Sequence, residues 1–562
     1  MKFLKTLHAR PSDIARFRQE YDLIKNLDIK GIIKTFDVLH YKEGFLLCQE
    51  DFAGIPIKNY LDKKESFDLK SFLEISAHIA ETLGNIHNHG IIHRAIKPHN
   101  VLINPKTEDI KITNFGISTI ITHEHDEAYN PDFIRGSLAY MSPEQTGRMN
   151  RDVDYRTDFY SFGITLYEIL TGILPFQTND PMELIHAHIA IMPEPPDKIN
   201  SKIPGVVADM IMRLLAKNPE ARYQNGFGLA ADFRTCIKQL EKNKKIESFE
   251  LGKTDISNRF IIPQKLFGRE KEIEKLIASF EEVANREKGV SVMVVTGAPG
   301  IGKSVLVNEI HKPIVAKRGY FISGKYEQFR RDKPYSAIIQ AFQMLVKQLL
   351  SESGDRITLW KDNLLKALGD NGKVITDVIP EVELIIGKQP DLPSLGPEES
   401  RNRFNFVFEK FIKVFPQKEH PVTLFLDDLQ WADLASLQLM KLMMSGDIQH
   451  LFLIFSYRDN EVDELHPVTD LLKDALKNKI KVDEIMLGPL KQKEVTDLIV
   501  HFLRCSEERG FGLAELVQKN TGGNPFFVNQ FLHTLYHEKM IIHKGAEGWQ
   551  WDIGEISRMK VA

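Results

Sequence analysis

Over the first 120 residues, short apolar runs alternate with stretches whose apolar residues recur every three or four positions. KFLKTL and GFLLCQEDF have the length and composition of strands, while ARFRQEYDLIKNL and LKSFLEISAHIAETLGNIHNHG carry helical spacing. From about 155 to 240 the pattern is mostly helical, and TDFYSFGITLYEILTG ends at Gly172 as a helix should. The charged run KQLEKNKKIESFELGKTD (238–255) predicts an interdomain linker or a helix end. A second unit opens at LFGREKEIEKL (266–276). Its runs VSVMVVTG, HPVTLFLDD and HLFLIFSYRD are apolar throughout, as strands of a parallel sheet buried on both faces would be. After about 490 the pattern turns helical, and MIIHKGAEGWQWDI predicts a hairpin. No internal repeat or low-complexity tract interrupts this order.

The length of 562 residues allows roughly two to four domains. Lys plus Arg number 73 and Asp plus Glu 77, a net charge of −4 that argues against nucleic-acid binding through a basic surface. Cys48, Cys236 and Cys505 lie far apart and form no disulfide framework or paired metal site, which predicts a reducing, cytoplasmic setting. No apolar run approaches the roughly 18 residues of a transmembrane span, and the N-terminus lacks a signal-peptide core.

Chemistry enters with GAPGIGKS (297–304), which follows an apolar strand and precedes SVLVNEIHKPIV, a predicted helix. Gly297, Gly300 and Gly302 let the backbone curl so that N–H groups face phosphate oxygens. Lys303 brings a positive charge to the β and γ phosphates, and the Ser304 hydroxyl suits Mg²⁺. In LFLDDLQWAD the strand ends in Asp427, suited to holding Mg²⁺ through water, and Asp428, suited to polarising the attacking water. Taken alone, such an acid pair is equally a turn or helix cap. Arg458, ending another apolar run, either senses the γ-phosphate or is a solvated strand-end arginine. TGGNPFFV (521–528) reads only as a helix start at Asn524 and Pro525.

Together LFGRE, GAPGIGKS, LFLDDLQWAD, SYRD and GGNPFF resemble the AAA-related signal-transduction ATPases with numerous domains, the STAND type, over about 265–535. The resemblance implies Mg-ATP binding that switches assembly or a partner's activity, and a contact of Pro525 with adenine.

The first 240 residues resemble a Ser/Thr protein kinase through HRAIKPHN, KITNFGIS, GSLAYMSPEQ and DFYSFG in a fixed order. The resemblance implies that Lys5 is the strand lysine, Glu20 its helix partner, Lys97 a phosphate contact and Asn100 a Mg²⁺ ligand. For Lys97 and Asn100 the plain alternatives are a solvated charge and a loop cap. It also implies a structural Glu144–Arg222 ion pair and an Asp158 that braces the catalytic loop, with His93 and Arg94 structural. His123 and His125 are either a metal pair or part of a polar loop. Two substitutions stand out: Ala95 replaces the catalytic Asp, and Asn114 the Asp of the metal-binding DFG motif. Alanine can neither orient nor deprotonate a hydroxyl, and an amide is a weaker cation ligand than a carboxylate. The glycine-rich loop and its strands, expected before Lys5, do not appear.

The expected architecture is multidomain. An α+β kinase-like fold with a truncated N-lobe (1–240) and a linker (241–263) precede an α/β P-loop ATPase with a parallel sheet (264–490). A helical and winged-helix-like extension (491–562) follows. The expected function is an ATP- and Mg²⁺-binding signalling protein whose kinase-like half is inactive, assembled with other signalling proteins or further modules of a hybrid sensor. An ATP-dependent oligomer also fits this type. The alternatives are an active Ser/Thr kinase regulated by the ATPase, and a non-catalytic scaffold. The chain reads as a piece of a longer bacterial hybrid protein.

Overall fold

Helix Leu69–Asn88 shows how the sequence builds the first unit: Asp68 caps it by accepting from Ser71 N–H at 3.4 Å, and its apolar stripe is buried. Gly226 opens helix Gly226–Asn243 where a Cβ would lie 2.4 Å from the Ala80 carbonyl, so only glycine lets the two helices approach this closely. Helices Arg156–Thr171, Pro181–Ala190 and Gly205–Leu214 lie in the same helical part. Before them, strands Lys2–Lys5, Gly44–Gln49 and Thr35–Tyr41 form an antiparallel sheet in that spatial order, and helix Pro11–Ile24 carries Glu20.

The coordinates are a computed structural model that describes the chain apart from residues 1, 6–10, 42–43, 62–67, 121–137, 150–152, 179, 256–259, 261, 263–264, 286–288, 329–333, 351, 353, 446–447, 545–547 and 559–562. His123 and His125 fall outside the described residues, as does the side chain of Lys5. The chain divides into two units, Met1–Arg259 and Phe260–Ala562.

In the second unit the described residues form a five-stranded parallel sheet. Its spatial order is Tyr320–Lys325, Val422–Asp427, Leu451–Tyr457, Ser291–Gly297, Lys481–Leu487. The strand ending in Asp427 and the strand feeding the phosphate loop are therefore not neighbours; Leu451–Tyr457 lies between them. Alternate residues serve two layers. Val292, Val294, Leu424, Leu426, Leu453 and Phe455 join one core, while Met293, Val295, Phe425, Phe452 and Ile454 join the other. That double burial is why these strands are apolar throughout. The C-terminal part packs helices Gln492–Leu503, Glu507–Thr521 and Pro525–His537 with a hairpin, Ile541–His543 paired to Trp549–Trp551.

Two expectations change in detail. The helix after the phosphate loop breaks into Lys303–Asn308 and His311–Ala316. Pro313 lacks an N–H and its ring crowds the carbonyl four residues earlier, so the first helix cannot run through it. The stretch expected as an interdomain linker or a helix end is folded at both ends. Helix Gly226–Asn243 extends into it, and Asp255 is fully buried, accepting from Arg213 at 3.0 Å and from the N–H groups of Gln224 and Asn225 at 2.8 Å. Phe260 stacks on Tyr536 at 4.5 Å inside the C-terminal core of the second unit. Its charge content hid these anchors.

Candidate functional site

In the second unit the loop after strand Ser291–Gly297 turns on glycines held at positive φ: Gly297 at 144°, Gly300 at 74° and Gly302 at 96°. At Gly297 a Cβ would meet the Leu487 carbonyl at 2.6 Å, so space as well as backbone conformation requires glycine there. Lys303 curls back over this loop, and its ammonium donates to the carbonyls of Gly297 at 2.7 Å and Ala298 at 3.2 Å. Burial lowers its pKa, while the nearby Asp428 and Asp427 carboxylates favour the charged form. The ammonium thus rests on neutral acceptors that a phosphate, a stronger one, would displace.

Ser304 donates to Asp427 Oδ2 at 2.8 Å, and the Ser456 hydroxyl bonds Asp427 Oδ1 from the strand between. A hydroxyl and a carboxylate are thereby brought together beside the lysine, the hard oxygen donors that Mg²⁺ takes. The residues fit Mg²⁺ on this ground. Asp428 is buried with φ at 58°. Its carboxylate accepts from Gln430 at 2.9 Å, pairs with Lys325 at 3.1 Å and lies 3.8 Å from the Arg458 guanidinium. Arg458 also bonds Glu461 at 2.7 Å and covers the Trp431 ring at 4.7 Å. The acid pair is thus part of the loop's surroundings, and Arg458 is engaged rather than merely solvated. Asn524 and Pro525 start helix Pro525–His537 directly against the loop: Asn524 Nδ2 donates to the Pro299 carbonyl at 3.0 Å.

Lys325, Gln430 and Ser456 escaped the sequence reading. Lys325 ends a short strand, YFISGK, with no motif of its own, and Ser456 looks like strand filler. Only the sheet order reveals that both border the acids.

The first unit assembles a kinase-like centre around Asp158, which is fully buried. It accepts from the N–H groups of His93 at 2.8 Å and Arg94 at 2.7 Å, with His87 Nε2 at 2.9 Å. His93 is buried, which lowers its pKa, and its ring bonds the Thr113 carbonyl at 3.1 Å. Glu144 and Arg222 form a two-pronged buried ion pair at 2.6 and 2.8 Å. The loop so braced holds Ala95 buried. Asn100 donates to the Ala95 carbonyl at 2.8 Å and accepts from Asn114 at 3.4 Å. Lys97 lies in the same loop, its pKa lowered by burial.

Glu20 receives a lysine, Lys2, at 2.6 Å. Lys2 also donates to Asn114 Oδ1 at 2.8 Å. Lys5 closes the same strand with its backbone opposite Gly44, while Lys2 pairs opposite Leu47.

Comparison with known proteins follows the same division. Residues 1–233 match the protein kinase domain family, and residues 265–454 match the AAA ATPase domain family. The chain therefore carries a protein kinase domain followed by an AAA ATPase domain. Across 90% of its length it is 29% identical to the hybrid signal transduction histidine kinase G of Dictyostelium discoideum. The kinase half is 34% identical to a probable serine/threonine-protein kinase of Clostridium perfringens, over 41% of this chain and 32% of that protein. It is 30% identical to the serine/threonine-protein kinase PrkC of Bacillus subtilis, over 44% of this chain and 37% of that one. The alignment covers only 19% of the Dictyostelium protein and 16% of histidine protein kinase 1 of Candida albicans, so the chain spans a small part of these relatives. Among the described residues no helix is long and apolar enough to cross a membrane.

Proposed function

We propose that this chain is an ATP-operated signalling switch: its ATPase unit binds Mg-ATP, and its kinase unit keeps the kinase fold without transferring phosphate. The observation that carries the first half is the Ser304–Asp427 contact beside Lys303, on a loop whose glycines hold the curl that phosphate binding needs. Bound Mg²⁺ would neutralise phosphate charge between Ser304 and Asp427. Lys303 would leave its carbonyl partners for the β and γ phosphates, and Asp428 would accept a proton from the attacking water. Arg458 would counter charge on the γ-phosphate, and Pro525 would border the adenine. The signalling partners are other modules of the kind the hybrid relative's name describes.

The second half rests on Ala95 and on the Asn114–Asn100 amide contact. One amide oxygen that could ligate a cation is occupied by an N–H, and the residue that should be the general base is a methyl. Losing a general base alone costs on the order of 10²- to 10⁴-fold. An active Ser/Thr kinase is the second reading, supported by the identity to bacterial kinases. Two assays on the purified chain decide. Mg-ATP binding should disappear in Lys303→Ala, and binding that survives would overturn the ATPase assignment. Labelled phosphate transferred from ATP to protein by Lys303→Ala would come from the kinase unit and overturn its inactivity.

A further inference from the structure

We infer that Asn524 is a positioning residue of the nucleotide site, one that presets the phosphate loop from the start of a distant helix. The inference rests on the ATP-binding reading above. Two hydrogen bonds cross 225 residues of sequence to reach this loop: Asn524 Nδ2 donates to the Pro299 carbonyl at 3.0 Å, and Phe526 N–H donates to the Gly300 carbonyl at 3.2 Å. The other end of the same side chain, Asn524 Oδ1, accepts from Phe526 N–H at 3.0 Å and caps helix Pro525–His537. One residue therefore joins the cap of a helix to the turn of the loop.

In a planar trans peptide the carbonyl and the following N–H point in opposite directions. Holding the Pro299 carbonyl toward Asn524 turns the Gly300 N–H away from Asn524 and fixes the plane of that peptide. Gly300 has φ of 74° and no Cβ, so its own chain does little to fix that orientation. A loop that must be ordered on binding loses affinity to the entropy it gives up, and a clamp already in place removes part of that cost. The fit is close. A Cβ on Gly300 would lie 2.8 Å from Phe526 Cβ and 3.1 Å from Asn524 Oδ1. The clamp is itself anchored, because Leu490 N–H donates to the Gly523 carbonyl at 2.8 Å and Gln518 donates to the Leu490 carbonyl at 3.1 Å.

Asn524→Ser separates the two tasks. Serine caps helices about as well as asparagine and carries no charge, but it has no amide to reach Pro299. On the full chain, Asn524→Ser should keep the unliganded melting midpoint and bind Mg-ATP about tenfold more weakly by titration calorimetry. Asn524→Ala should lose the same affinity and also lower the midpoint. Wild-type affinity in Asn524→Ser, with weakening only in the destabilised alanine variant, would overturn the inference and leave the ATPase reading standing. A wild-type chain that fails to bind Mg-ATP would remove both.

Discussion

Asp428 is the residue on which turnover should hang. It is held in the left-handed region, with Gln430 and Lys325 on its carboxylate. Asparagine tolerates the same backbone and preserves the shape, so Asp428→Asn should retain Mg-ATP affinity. Hydrolysis should fall by roughly 10²- to 10⁴-fold, measured as phosphate release. His188 carries a different consequence. Its imidazole, buried between the Tyr160 and Phe176 rings, is pushed from 6.5 down to about 3, first by burial and then by the charge of Lys217. Between those values the unfolded chain binds a proton that the folded chain refuses, so stability drops as pH falls from about 6.5 toward 3. Urea midpoints at pH 7 and pH 4 should therefore differ less in His188→Phe than in the wild type.

At the level of elements, the strands with unbroken apolar runs were legible because both of their faces are buried. Strands Tyr320–Lys325 and Lys481–Leu487 were not. The second is an edge strand, with burial confined mainly to Ile485 and Leu487, and its sequence KVDEIML carries the polar residues of its exposed positions. Sheet order was unreadable for the same reason that Lys325 and Ser456 were: local sequence does not say which strands become neighbours. In the kinase unit, the motifs gave Asp158, Glu144 and Arg222 their places, while the contact of Lys2 with Glu20 needed the fold. The Glu144–Arg222 pair ties the Glu144 turn to the segment after helix Gly205–Leu214, with Thr157 adding a hydrogen bond at 2.9 Å. Glu144→Gln leaves a buried guanidinium without its counter-charge. It should cost about 3–5 kcal/mol in chemical denaturation of the kinase unit.

At the scale of the whole molecule, two units with separate cores predict separable responses to one ligand. Mg-ATP at a hundred times its Kd should stabilise the unit that binds it by about 2.7 kcal/mol. Scanning calorimetry of the intact chain should therefore show the transition of the Phe260–Ala562 unit rising, with the other transition unmoved, and Lys303→Ala should erase the rise.

The strand Leu451–Tyr457, lying between the phosphate-loop strand and the strand that ends in Asp427, acts as a calliper. Neighbouring strands stand about 4.8 Å apart, so one strand between sets a jaw of roughly 9.6 Å. That width is fixed by backbone hydrogen bonds and not by side chains. Point substitutions along the rim can therefore change what is gripped or how fast it is released, but altering the gauge itself would require rebuilding the sheet.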